Sequence, residues 1–585
     1  MGNSIANHRR WLHAAAVAGA AVLAVAPSSL SAGANHATTS GPWLSPVSAA
    51  NAVVSTPTSG GGYPENPPVA GGCVGPTPNN FNANHSESEL AVMPGSEQIV
   101  GSSKFFFDKF STGYNFYLGS YNINGTTGSA SNNIIPGYDC STTETTLGVL
   151  NQNMPPSWTN TTDPNVAFDS QGRVYQTMLP FNAFWTNLHP DGEITVSSSD
   201  DLGKTWTIDN GGLALETVPN ASSFQFGYVE DKQWTAVNHF VGNPYQDHIY
   251  STWDFIDGTT VKLRMAASRD RGKTFSKATT IVSASTDQLR DQFSQTGVDP
   301  NGVLYVAYAN IGNKTSVSDF FVTKSTDDGN TFSTPVLAGS GTSIGVSSGA
   351  LPNTTFRDGI PMSFTVSPDY PGHLYLTYNH WNGTQYNVFF TQSTDGGATW
   401  SIPVPVNDDI ASGNVADHFQ PEIAAGPGGA VAVAFYDRRA SCPTDASIIP
   451  QDQGRSNFCI DVSVQAYKDS GTGAAPVGVN IRASNFTWDP QQPGLLVNAD
   501  GSHTDLQTLG GLGQMACASH NDPCRLSFIG DYFGLAVSGS NIYTLSVSTH
   551  YDSKVKADAT SLMPGDLYYQ QQVLGTISRT SAGIP

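Results

Sequence analysis

Apolar residues along this chain fall in short paired runs with a polar turn between them. The segments DPNVAFDSQGRVYQTML from Asp163, DKQWTAVNHFVGNPYQDHIYSTW from Asp231, DQFSQTGVDPNGVLYVAY from Asp291 and RDGIPMSFTVSPDYPGHLYLTYNHW from Arg357 all have this form. Runs of this length bounded by Asp, Pro and Gly predict two antiparallel strands. The second run of each pair, such as 303–308, is apolar at successive positions, which predicts a strand covered on both faces. Behind each pair comes a fixed octapeptide: 199–206 (SDDLGKTW), 268–275 (SRDRGKTF), 325–332 (STDDGNTF) and 393–400 (STDGGATW). A third strand leads into it and a fourth leaves it, so each unit has the four strands of a propeller blade. The paired runs recur without a clean octapeptide at 87–106, 418–439 and 528–548. The first of these is followed by a decayed turn near Ser120, and the last by an outer strand at 565–571. The expectation is an all-β β-propeller of seven four-stranded blades, or six if a terminal unit shares a blade.

In each octapeptide a Ser, an Asp, a Gly, a Thr and an aromatic hold fixed places. The Asp accepts turn amides, the Gly permits positive φ, and the aromatic anchors the turn by burial. The pattern resembles the Asp box of the sialidase and BNR-repeat propeller superfamily, in particular its secreted exo-sialidase-like group. A YDRR segment at 436–439 and a GDYFGLA segment at 530–536 belong to the same resemblance. What it implies is a propeller fold, and more remotely an activity on terminal acidic sugars.

Composition narrows the setting. Gly is abundant at 59 and only 12% of residues are charged, which suits turn-linked strands. The formal charge of −21, with no Lys/Arg-rich run, excludes nucleic acid as a partner, because phosphate needs a basic surface. His8, Arg9 and Arg10 precede an apolar stretch at 14–26 and small residues at 31–34, the order of a secretory signal peptide cleaved after Ala34. That stretch is short of the roughly 20 residues that span a bilayer. A secreted protein without a membrane span is therefore expected, acting as a monomer on a glycan or glycoconjugate. Residues 35–84, rich in Ser, Thr, Pro, Gly and Asn, read as a disordered or extended linker. The propeller is expected over 85–585, with long loops at 136–160 and 484–527. Six cysteines behind a signal peptide predict disulfides. Proximity suggests Cys442 with Cys459, Cys517 with Cys524, and by elimination Cys73 with Cys140. No cofactor is implied, and no metal-ligand spacing or twelve-residue calcium loop is present.

If the octapeptides turn between third and fourth strands, they lie on one face of the disc. The segments entering the innermost strands then lie on the other face, around the channel. These supply Glu87, Glu89, Asp163, Asp231, Lys232, Asp291, Gln292, Arg357, Asp358, His418, Gln420, Asp531 and Tyr532. The ends of the second strands add Trp253, Asp254, Trp381, Asp437, Arg438 and Arg439. Carboxylates, aromatics and arginines on one rim are the chemistry of a carbohydrate site. The same residues also suit mutual pairing, Asp437 with Arg438 or Arg439 being one such pair. The sialidase resemblance further implies Tyr532 as nucleophile, with Tyr436 second, and Glu89 or Asp231 as assisting base or acid. Arg357, Arg438 and Arg439 would clamp the anionic substrate, with Gln420, Asp531, Trp253 and Trp381 completing its contacts. The Phe/Tyr-Arg-Ile-Pro motif of sialidases is absent, and the first unit offers Glu87 and Glu89 instead. Three functions are compatible with this rim: a sialidase-like glycoside hydrolase, a non-catalytic propeller binding glycan or protein, and a polysaccharide lyase.

Overall fold

The computed structural model describes residues 42–55, 85–106, 116–135, 160–181, 192–218, 228–257, 260–282, 290–311, 317–344, 351–490 (except 354–355, 357–358, 414, 446, 449 and 451), 495–497, 503–505, 529–551, 555–556, 566–567 and 570–584. The signal peptide, all but Asn160 of the loop expected at 136–160, and the cysteine pairs Cys73–Cys140 and Cys517–Cys524 lie outside these residues.

Seven four-stranded blades follow in chain order. The innermost strands are His85–Val92 in blade 1, the pair Asn160–Thr162 and Ala167–Phe168 in blade 2, Tyr228–Val237 in blade 3 and Arg290–Val298 in blade 4. Met362–Val366, His418–Gly426 and Gly534–Val537 serve blades 5, 6 and 7. In each blade the second strand pairs antiparallel with the first and the third antiparallel with the second, as in blade 1 and blade 6. The second strands are buried on both faces as the apolar runs require: Ala430–Asp437 is buried at every position and Leu304–Ile311 at the first six of eight.

The four octapeptides are the turns between third and fourth strands, and one hydrogen-bond scheme repeats in each. In 199–206 the Asp201 carboxylate accepts the amides of Lys204 and Thr205 and the Thr205 hydroxyl, while the Ser199 hydroxyl accepts the Gly203 amide. Asp270, Asp327 and Asp395 take the corresponding Thr amide and hydroxyl in their own turns.

Two strand assignments differ from the sequence expectation. In blade 1, Ser120 lies within the third strand, Phe116–Asn124, and the turn comes after it. In blade 7 the third strand is Gln571–Ser578, whereas Asp566–Leu567 belongs to a small accessory sheet with Leu495–Val497, His503–Asp505 and Val555–Lys556. The fourth strand of blade 7 is Ala50–Val53, from the stretch read as a linker, paired antiparallel from Ala50↔Thr576 to Val53↔Val573. Composition misled here because the four-residue strand is half-buried and too short for a hydrophobic period to register.

This N-terminal strand ties blade 7 to both neighbours. Val54 packs with Leu90, Ile99 and Tyr121 of blade 1 and with Tyr543, Leu545 and Leu574 of blade 7. The Asn51 amide donates to the Ala483 carbonyl beyond blade 6 (2.7 Å). Upstream, Trp43 lies against the Arg439 and Arg482 guanidiniums, 5.4 and 4.9 Å from its ring, and its indole N–H donates to Ser463 (2.6 Å). Trp43 is 9% exposed. Replacing it by Ala removes a buried indole and two cation–π contacts, so Trp43→Ala is expected to cost about 3 kcal/mol in urea unfolding. An unchanged midpoint would show that closure does not depend on this anchor.

Candidate functional site

Each innermost strand carries one residue in the left-handed region, within the strand or just beside it. These are Glu87 (φ 36°), Asp163 (59°), Lys232 (48°), Phe293 (61°), Gly359 (79°), Gln420 (47°) and Gly530 (99°). In blades 1, 3, 4 and 6 the strand register shifts at this point, between Ser86 and Ser88, Asp231 and Trp234, Gln292 and Gln295, and Phe419 and Glu422. A bulge of this kind re-aims side chains that would otherwise alternate across the sheet. Where the packing is tightest the residue is glycine. A Cβ on Gly530 would lie 2.4 Å from the Glu87 amide nitrogen, and one on Gly359 2.3 Å from the Asp531 carbonyl.

The bulges assemble a buried charge network at the channel entrance. The Lys232 ammonium lies 2.7 Å from Asp531, 3.1 Å from Asp163 and 3.8 Å from Glu87. Lys104 pairs with Glu87 and donates to the Thr162 hydroxyl (3.0 Å), which donates to Asp163 (2.6 Å). Burial would discharge Lys232, but Asp163, Asp531 and Glu87 hold its pKa well above the ordinary lysine range. Burial likewise opposes ionisation of Asp163, and Lys232 and Lys104 overcome it and keep that carboxyl below its usual range. Burial raises Glu87 to about 7, against the pull of Lys104.

A second set of acids borders this network. Burial pushes Glu89 up to about 8, with the Leu90 amide donating to it at 3.0 Å. Burial and the neighbouring Glu89 raise Glu422 well above its usual value. Asp231 stands opposite Asp254 in the strand register and accepts the Lys232 amide at 3.0 Å. Asp254 is raised well above the carboxylate range, first by burial. Asp291, which accepts from the Asn310 amide (2.7 Å), is raised by burial to about 6. Among the described residues no group of three or more His, Cys, Asp or Glu is placed to hold a metal ion, and no helix is long and apolar enough to cross a membrane.

Of the residues expected at the site, Glu89, Asp231, Gln420, Asp531 and Tyr532 stand on this ring. The Gln420 amide donates to the Gly530 carbonyl (2.7 Å), and the Tyr532 hydroxyl donates to the Pro164 carbonyl (2.9 Å). Burial and the surrounding carboxylates raise the Tyr532 phenol well above its ordinary value, the opposite of an activated nucleophile. Tyr436 is fully buried, and burial raises it too.

The arginines and tryptophans are placed elsewhere. Arg438 is wholly buried and donates to the carbonyls of Phe458, Pro352 and Asn353 and to Asp417. Arg439 donates to Asp437, Asp408 and Asn480, so the Asp437–Arg439 pair forms as the pairing alternative required. The two guanidiniums share no hydrogen-bond partner, so they do not converge on one acceptor. Arg357 lies outside the described residues. Trp253 is buried in the core between blades 2 and 3 and donates to Glu216 (2.8 Å), and Trp381 packs edge-on to Tyr386.

Three residues escaped the sequence reading: Trp234, Glu422 and Lys104. Trp234, half-buried, stands edge-on to Tyr532 with ring centroids 6.1 Å apart. It occupies the place two residues after the left-handed position, the same place as Glu89, Glu422 and Tyr532, and aligning the units on that place would have found it. Lys104 comes from a second strand whose sequence carries no comparable signal. The expected Cys442–Cys459 disulfide is formed within the loop following blade 6's second strand.

No protein-family model matches the chain, and no curated protein matches it. Among solved structures, polysaccharide lyase Uly1 is 9% identical, with 84% of this chain and 90% of that one covered and a TM-score of 0.41. Hadza microbial sialidase Hz136 is 14% identical, with 72% and 66% covered and a TM-score of 0.36. The GH93 alpha-L-arabinofuranosidase of Fusarium graminearum, in complex with arabinobiose, is 15% identical, with 61% and 96% covered and a TM-score of 0.33. The chain thus spans just under two thirds of the sialidase's length. Likenesses this distant carry no argument about chemistry, and the propeller assignment rests on the seven blades themselves.

Two outcomes follow from the electrostatics. Lys232→Met leaves Asp163 and Asp531 buried without their shared cation, so a loss of about 3–5 kcal/mol in unfolding stability is expected. A neutral substitution would mean that the carboxyls simply take up protons. Glu89, Glu422 and Asp254 hold protons in the fold that the unfolded chain releases above the ordinary carboxylate range. The folded state therefore binds more protons between that range and about 8, the value for Glu89, and stability falls as pH rises through this window. Thermal unfolding should accordingly show a higher Tm at pH 5 than at pH 8, and the reverse order would contradict the assignment of these groups.

Proposed function

We propose that the chain is a secreted, glycan-active propeller that takes its substrate at the channel entrance and cleaves a glycosidic bond by general acid–base catalysis. The observation that carries this reading is the ring of bulges, which brings carboxyl groups of opposite protonation state onto one rim. Glu89, raised to about 8, holds a proton at neutral pH, while Asp163 remains ionised beside Lys232. A general acid must be protonated before the leaving group departs, and an ionised carboxylate nearby stabilises the positive charge that develops on the sugar. Glu89 is the proton donor in this scheme, and Asp231, next to Lys232 on the same rim, is the base that activates water. The disulfide and the N-terminal segment at 8–34 support an extracellular site of action.

The sialidase form of this activity uses a tyrosine nucleophile and an arginine clamp, and neither finds support here. The Tyr532 hydroxyl is committed to a backbone carbonyl, and Arg438 and Arg439 are saturated inside the fold. Hydrolysis by carboxyl groups alone is therefore the form proposed.

The test is product release from a polysaccharide panel by the secreted chain. Glu89→Gln should lower kcat by about 100-fold or more with KM little changed, whereas Tyr532→Phe should retain most activity. The wild-type rate should fall as pH rises past about 8, where Glu89 loses its proton. An inactive Tyr532→Phe beside an active Glu89→Gln would replace this mechanism by the tyrosine one. Binding without product from any glycan would make the chain a non-catalytic propeller.

A further inference from the structure

The channel entrance also specifies the charge of what it accepts, an inference that rests on reading it as a glycan site. Among the described residues, its two cations are both held by carboxylates: Lys104 by Glu87, and Lys232 by Asp531, Asp163 and Glu87. Asp231 and Asp291 add further carboxyl groups on the same rim, and of the three arginines expected to bind an anion, Arg438 and Arg439 are engaged elsewhere while Arg357 lies outside the described residues. An incoming carboxylate or sulfate would meet groups of its own sign, with Lys104 and Lys232 already paired.

Hydrogen-bond chemistry points the same way. A carboxylate that is ionised at neutral pH, such as Asp291 on this rim, only accepts, and so favours a ligand that brings donors. Sugar hydroxyls supply donors, whereas an acidic substituent supplies more acceptors. Trp234, half-buried and edge-on to Tyr532, adds a flat apolar surface beside these acceptors. The C–H face of a sugar ring packs on such a surface while its hydroxyls reach the carboxylates.

We propose that the channel entrance selects neutral, hydroxyl-rich glycans, with Trp234 as the stacking platform, and rejects uronate, sulfated and sialylated chains. This replaces the terminal acidic sugar implied by the Asp-box resemblance. The experiment is affinity electrophoresis of the full secreted chain in gels containing arabinan, galactan, xylan or mannan, against polygalacturonate, a sulfated galactan and polysialic acid, at low and high salt. Retardation by at least one neutral polymer and by none of the acidic ones is expected. Trp234→Ala should weaken that binding by at least about tenfold, and Trp234→Phe should restore most of it. Circular dichroism and Tm identify a variant that has merely failed to fold, in which case Trp234→Phe alone carries the comparison. Tighter binding of an acidic polymer, or neutral binding indifferent to Trp234, overturns the proposal and leaves the glycan reading standing. Retardation by no polymer overturns the glycan reading itself, and this proposal with it.

Discussion

The structure depends on one pairing, that of Ala50–Val53 with Gln571–Ser578. Without it the last blade has three strands and an open edge, and the cluster joining blades 7 and 1 loses Val54. A propeller buries both faces of its inner strands only while the ring is closed, so the interaction holding the ends acts on every seam. Here the ends are held by strand hydrogen bonds, by the Asn51 contact beyond blade 6, and by Trp43 between two arginines. Arg439 serves this anchoring rather than a ligand: the Asp437–Ser463 pair that orients it also receives the Trp43 indole.

Closure fixes the blades, and the bulges then decide what the channel presents. A regular strand would turn alternate side chains into neighbouring blades. One left-handed residue within or just beside each inner strand gathers polar groups at the entrance instead. Burying charge is unfavourable unless the charges meet, and the Lys232 network satisfies that condition with three carboxylates from three other positions of the ring. Glu89, Glu422 and Asp254, for which burial is the largest influence, are driven toward their neutral forms. The same burial that makes them unfavourable as ions gives the entrance a proton donor near neutral pH. Chemistry and packing at this rim are therefore one arrangement viewed in two ways.

The Asp boxes sit apart from this chemistry. Their carboxylates accept turn amides and hydroxyls of their own octapeptides, which commits them to making the turn. Their recurrence at the turn between third and fourth strands is a device for making that turn. Their sequence prominence reflects how many fixed positions the turn needs, whereas the entrance needs only polar variety.

Repeated apolar pairs and octapeptides determined the propeller, its seven units and the face that carries polar entry segments, because these follow from local periodicity and turn chemistry. The Cys442–Cys459 disulfide was legible for the same reason, being close in sequence. The partner of the last blade was not, since Ala50–Val53 pairs with residues more than five hundred positions away and its own period is too short to read. Nor was the fate of Arg438 and Arg439: two adjacent arginines look alike in sequence, and only the packing of Pro352, Asn353 and Phe458 around one and of Asp408 and Asn480 around the other shows both engaged. Trp234 became visible only once the left-handed positions aligned the units. Sequence thus set the scaffold through short-range patterns, and tertiary structure decided which polar groups remain for a ligand, because pairing and burial depend on residues distant along the chain.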